Sequence, residues 1–168
     1  MLVEFWMSMR LTREIHELEK ELILRQTELS HYQKYASRLG SSSIMTMNNI
    51  AGLSSEILPR ATMFAQYSDQ ASSMSAMQGI QYMQMMGRIP MVANPITQYQ
   101  INMSAYAQFK EEALKALKQQ EANVISEKEK EIELEVTDIQ QRLKMAQAQL
   151  DSYKNKARDD AQKWVPQF

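Results

Sequence analysis

Few residues in this chain are of types suited to chemistry. Glu28 and His31, in the stretch "ELSH", form a single Glu-x-x-His pair. On a helix that spacing sets a carboxylate and an imidazole on one face, as di-metal carboxylate bundles do, but those bundles need two such motifs and two further glutamates. The only other histidine, His16, follows Arg13 by three positions and has no glutamate there. The ordinary reading is a solvated histidine on a helix face, and no metal or cofactor is expected. The sequence has no glycine-rich phosphate loop. It has no cysteine, and no histidine stands near a candidate serine, so nucleophilic catalysis has no support. The serine runs at 41–43 and 54–55 read as helix caps and breaks. Asn102-Met-Ser104 matches a glycosylation acceptor but falls inside an expected helix. The expectation is a protein that is not an enzyme.

Binding chemistry is better represented. The stretch "MSAMQGIQYMQMMGRIPM", residues 74–91, holds six methionines (Met74, Met77, Met83, Met85, Met86 and Met91) and one charge, Arg88. Methionine is flexible and polarizable and suits adaptable apolar contacts. At helical spacing it is more often core. Met83, Met85 and Met86 cannot all face one seam, however, so some of the six are expected on a partner-binding surface.

Composition bounds the partners. Nineteen basic residues against twenty acids give no overall electrostatic footprint for nucleic acid or an anionic membrane. No apolar run approaches the roughly 18 residues of a membrane span, so no integral membrane segment is expected. The first residues lack the basic start and long apolar stretch of a secretory signal. These features predict a cytoplasmic protein, or one exported without a cleavable signal. Four glycines and four prolines in 168 residues argue against a sheet fold.

The elements that position these residues read as helices. Charge divides the chain into a charged segment 1–40, a charge-poor segment 41–109 with ten of the fourteen methionines, and a charged segment 110–168. In the first, Leu11, Ile15, Leu18, Leu22, Leu29, Tyr32, Ala36 and Leu39 recur at spacings of three and four, with Arg25 at one polar seam position. That predicts a helix over 4–39, closed by Gly40. In the last, Asn94 and Pro95 suit a helix start, and the seam Ile125, Ile132, Val136, Ile139, Leu143, Ala146, Leu150, Tyr153, Ala157 is broken only by Glu129. This helix, over 98–163, would run about 100 Å at 1.5 Å per residue. Between them, Pro59 to Gly87 reads as a helix with a row of small residues, Ala61, Ala65, Ser68, Ser72, Ser75 and Gly79, that lets a partner helix approach closely. Met47, Ile50, Leu53, Ile57 and Leu58 suggest a short amphipathic helix over 44–58.

The fold expected is all-α: a long antiparallel helical hairpin or coiled coil with a side excursion at 40–59. The alternative is a three-helix up-down-up bundle. The hairpin would be a single elongated domain, with a stem of 4–39 against 125–163 and a methionine-rich tip over 60–124. Around the short loop at 88–97, opposed residue numbers should total about 185. For the stem, totals of 161, 168 or 175 match the two seams. A total of 168 layers Leu18 with Leu150 and flanks the seam with Glu14–Lys156 and Glu28–Arg142. A total of 161 sets Glu28 against Glu135, so 168 is expected.

Two functions follow. One is a non-enzymatic coiled-coil structural or assembly protein that self-associates, or docks a helical protein partner, through the methionine-rich tip. The other is an adaptor or export-chaperone-type hairpin that binds another protein's helix. The acidic run at 127–135 reads as a solvated face or an antiparallel self-pairing segment, and "WVPQF" at the end as a docking peptide or a frayed terminus.

Overall fold

The computed structural model describes residues 2–41 and 50–164, and among these every regular element is a helix. There are three long ones: α1 (Leu2–Gly40), α2 (Leu58–Met85) and α3 (Pro95–Lys163). Among the described residues no helix is long and apolar enough to cross a membrane. The chain forms two compact units. A terminal unit joins Met1–Ser30 to Lys128–Phe168, and a central unit comprises His31–Glu127.

The helix boundaries follow from local chemistry. α2 opens with Pro59 in its first turn, where the missing N–H costs nothing. It closes on Gly87, whose φ of 69° lies in the left-handed region that a side chain disfavours. There the Arg88 N–H donates to the Met83 carbonyl at 2.9 Å and the Gly87 N–H to the Gln84 carbonyl at 3.1 Å, which satisfies two otherwise orphaned acceptors. α3 starts at Pro95 behind Asn94, whose Oδ1 accepts the Ile96 N–H at 3.0 Å.

In the terminal unit, Leu11, Ile15 and Leu18 of α1 and Ile139, Ala146 and Leu150 of α3 form one buried cluster, with Leu22, Leu143 and Tyr153 packed against it. Both seams read from the sequence are therefore used. Their register is not the expected one. Arg25 Nε lies 3.0 Å from Glu135 Oε2. In the 168 register Arg25 would oppose Leu143, eight residues or about 12 Å from Glu135. The ion pair belongs to the 161 register, which layers Leu11 with Leu150, Ile15 with Ala146, Leu18 with Leu143 and Leu22 with Ile139. A groove lined by Leu2, Phe5 and Ser8 on one side and Lys154, Ala157 and Arg158 on the other agrees with it. The physical reason is Arg25 itself. Its Nη1 donates to Glu28 Oε2 at 2.8 Å while its Nε faces Glu135, so one guanidinium sits between the two carboxylates whose repulsion had counted against this register. The hydrogen bond to Glu28 and the charge of Glu135 hold that guanidinium even more firmly protonated than usual.

In the central unit, Tyr35, Leu39, Ile50, Ile57, Ala61 and Ile125 form a second buried cluster, flanked by Tyr32, Ala36, Leu53, Phe64 and Ala65. Asp69 pairs with Lys110 and Arg60 with Glu121. Numbers rise along α3 as they fall along α2, the antiparallel order of a hairpin. The described part of the 40–59 excursion is not a loose loop, because it places Ile50 and Ile57 in this core. Nor are residues 51–57 the expected amphipathic helix. They run through turns, since Gly52 adopts a φ of 127° that no helix accommodates. Residues 44–49 of that expected helix, and 165–168 of the C-terminal motif, lie outside the described residues.

Candidate partner-binding surface

α2 sorts its side chains by size in an unusual sense. Ala61, Ser68, Ser72 and Ala76 are buried. The two hydroxyls are satisfied within the helix, Ser68 Oγ donating to the Ala65 carbonyl and Ser72 Oγ to the Asp69 carbonyl, each at 3.1 Å. Further along, the Phe109 ring of α3 lies against Gly79 so closely that a Cβ there would stand 3.1 Å from Phe109 Cγ. Ala65 and Gly79 are half-buried, and Ser75 is exposed. After Ser68 the buried row advances by fours, so Ala76 takes the place that a four-three alternation gives to Ser75.

With small residues in the core-facing row, most of the large ones face out, Phe64 being an exception that packs against the core. Met63, Tyr67, Met74, Met77 and Met85 are all exposed, Met85 at 86%. At 100° per residue these five fall within an arc of roughly 80° opposite the buried row. Between Met63 and Met85 the only charge on α2 is Asp69, whose Oδ1 is held by Lys110 Nζ at 2.9 Å. Met86 and Met91 are exposed beyond the helix end, and Met83 is half-buried. A second strip starts α3, where Ile96, Tyr99 and Met103, spaced by three and four, are exposed. Met63, Tyr67, Ile96, Tyr99 and Met103 lie outside the methionine-dense stretch 74–91, so residue density alone does not mark them. Helical phase, applied to all of α2 and the start of α3, would have found them.

The scaffold behind this surface is tied by one polar cluster. The Tyr35 hydroxyl, on a wholly buried side chain, donates to Glu121 Oε1 at 3.0 Å, and Arg60 donates to both Glu121 oxygens at 2.8 and 3.1 Å. Burial, and then the neighbouring Glu121 charge, push the Tyr35 hydroxyl well above the ordinary phenol range. The cluster joins α1, α2 and α3 within the central unit. Paired charges at a partly exposed site contribute little net energy, so its role is to fix geometry.

The candidate ligand motif is otherwise engaged. Glu28 holds Arg25, and His31 Nδ1 lies 3.8 Å from Glu56 Oε2. Among the described residues no group of three or more potential metal ligands comes together. Comparison of the chain with protein-family models, with curated proteins and with solved structures finds no match.

Proposed function

We propose that this chain is a non-enzymatic coiled-coil assembly protein that associates, with copies of itself, through the exposed methionine and tyrosine strips of its central unit. The observation that carries the reading is the inverted α2, with small residues in its core-facing row and large apolar residues in its outer one. Polar residues on that outer face would cost the fold nothing. Five large apolar side chains gathered on one helix face, with Gln70 and Gln81 but no charge among them, are the kind of surface that marks a contact site, and thioether side chains suit a contact that must repack.

The test is the quadruple variant Met63→Gln, Met74→Gln, Met77→Gln and Met85→Gln. Glutamine and methionine have similar helix propensity, so far-ultraviolet circular dichroism should be nearly unchanged. Sedimentation velocity should show a concentration-dependent oligomer for the native chain and loss of it for the variant. A native chain that stays monomeric at every concentration would reject self-association and leave the adaptor reading, to be pursued with a helical partner. An oligomer of unchanged mass in the variant would move the contact elsewhere.

A further inference from the structure

A second apolar surface lies in the terminal unit and differs in chemistry from the methionine strips. Leu2, Phe5, Trp6 and Met9 of α1 are exposed, Leu2 at 87%. Their spacings of three and four set them on one side of the helix. Leu2 and Phe5, with Ser8, form one wall of a groove of about 630 Å³ whose other wall is Lys154, Ala157 and Arg158 of α3. Both charged residues lining the groove are cations. The Arg10 guanidinium stands 5.9 Å from the centre of the Trp6 ring.

Charge here departs from the whole-chain balance. Over residues 2–13 and 151–164 the cations are Arg10, Arg13, Lys154, Lys156, Arg158 and Lys163, against four carboxylates, Glu4, Asp151, Asp159 and Asp160, the last lying 3.8 Å from Lys163. The chain as a whole carries a formal charge of −1. Both tryptophans of the protein lie in these two stretches, the second being the exposed Trp164. An aliphatic and aromatic body rimmed by lysine and arginine is the composition of an interfacial lipid contact. Tryptophan rings settle at headgroup depth, and cationic side chains extend along the apolar surface toward lipid phosphates.

We infer that this end of the terminal unit docks on an anionic lipid surface, with Leu2, Phe5, Trp6 and Met9 entering the interface and Lys154 and Arg158 meeting phosphate groups. The positive rim favours an anionic bilayer over a second copy, which would bring the same charges together. The proposal stands independently of the methionine strips.

Co-sedimentation of the full chain with phosphatidylcholine vesicles, with and without phosphatidylglycerol, tests it. The native chain should bind the anionic vesicles with a blue shift of tryptophan emission, bind the neutral ones weakly, and be released by salt. Lys154→Glu with Arg158→Glu should lower partitioning about tenfold or more. Leu2→Ser with Phe5→Ser should abolish the blue shift while Trp6 remains as reporter. All four side chains are at least partly solvent-facing, so circular dichroism should be unchanged. Met74→Gln with Met77→Gln and Met85→Gln should bind as the native chain does. Absence of binding to anionic vesicles, equal binding to neutral ones, or unchanged binding by both terminal-unit variants would overturn the inference. Binding to polyglutamate but to neither vesicle would overturn it in favour of an acidic protein partner.

Discussion

In the terminal unit, leucine and isoleucine fill the seam between α1 and α3, and Arg25, Glu28 and Glu135 stand beside it. In the central unit, α2 turns alanine and serine inward and methionine and tyrosine outward. The first arrangement recovers the hydrophobic effect within one chain. The second leaves much of that surface on the outer face of the helix and gains close backbone approach instead. Two stretches of helix can thus use their large apolar residues in opposite ways, one burying them within the chain and the other leaving them outward for the association proposed above. Which it is depends on the phase of the large residues, not on their number.

Substitutions that reverse this polarity should have the largest effects. Leu18→Ala in the terminal seam should cost about 2–5 kcal/mol, measured by chemical denaturation, because it removes a buried side chain and leaves a cavity. In the central unit the same truncation on the outer face, Met74→Ala, should change stability by less than about 0.5 kcal/mol. There the damaging change is enlargement. Ser72→Leu, at a wholly buried position, should cost about 1–3 kcal/mol by overpacking. A native-like stability for Ser72→Leu would mean that α2 is free to rotate, and the size inversion would lose its meaning.

A smaller effect tests the register of the terminal unit. With the 161 register, the pair Leu18→Cys and Leu143→Cys should oxidise rapidly within one chain, since facing seam positions approach disulfide distance. Leu18→Cys with Leu150→Cys, a heptad away, should oxidise slowly. Adding Arg25→Gln should narrow the difference, because Glu28 and Glu135 then meet without a cation between them. Equal rates with Arg25 intact would break the assignment of Arg25 as the residue that selects the register.

The smallest effects are pH-dependent and of opposite kind in the two units. In the terminal unit, Glu129 Oε1 is buried without a hydrogen-bond partner, and burial, then Glu133, raises its pKa above the usual carboxylate value. A raised carboxylate destabilises the fold when ionised and ceases to do so as pH falls through its folded pKa. Glu129→Gln should therefore raise Tm at neutral pH and lose that advantage in acid. In the central unit, the folded Tyr35 hydroxyl titrates above its unfolded value. Its contribution is complete below the unfolded pKa of about 10 and declines as pH rises beyond it. Tyr35→Phe should cost about 1 kcal/mol at neutral pH and flatten the alkaline loss seen in thermal melts.

Periodicity made the helices legible before any coordinates. Ile125, Ile132, Val136 and Ile139 could be placed in a seam because three-and-four spacing has one solution on a helix. Asn94, Pro95 and Gly87 marked ends because their backbone chemistry permits little else. The register is not legible from opposed charges taken in pairs. Glu28 against Glu135 is repulsive alone and acceptable once Arg25 lies between them, an effect of three groups. A heptad puts Ser75 in the buried row, whereas the packing of α2 proceeds by fours to Ala76. Tyr35 is not marked by periodicity, because Tyr32 and Ala36 already complete the seam. Its hydroxyl finds its partner in Glu121, 86 positions away.

The outward strip of α2 has a further consequence, in redox chemistry. A chain without cysteine has no thiol to take the first oxidising equivalent, and Met63, Met74, Met77 and Met85 are exposed. Conversion to sulfoxide would turn an apolar strip polar at several points, with no change in the buried row of alanine and serine behind it. Mild peroxide should therefore dissociate the proposed assembly while leaving the helices intact, and methionine sulfoxide reductase should restore it. The same packing that frees these side chains from the core would make quaternary structure, and not folding, the property that responds to oxidant.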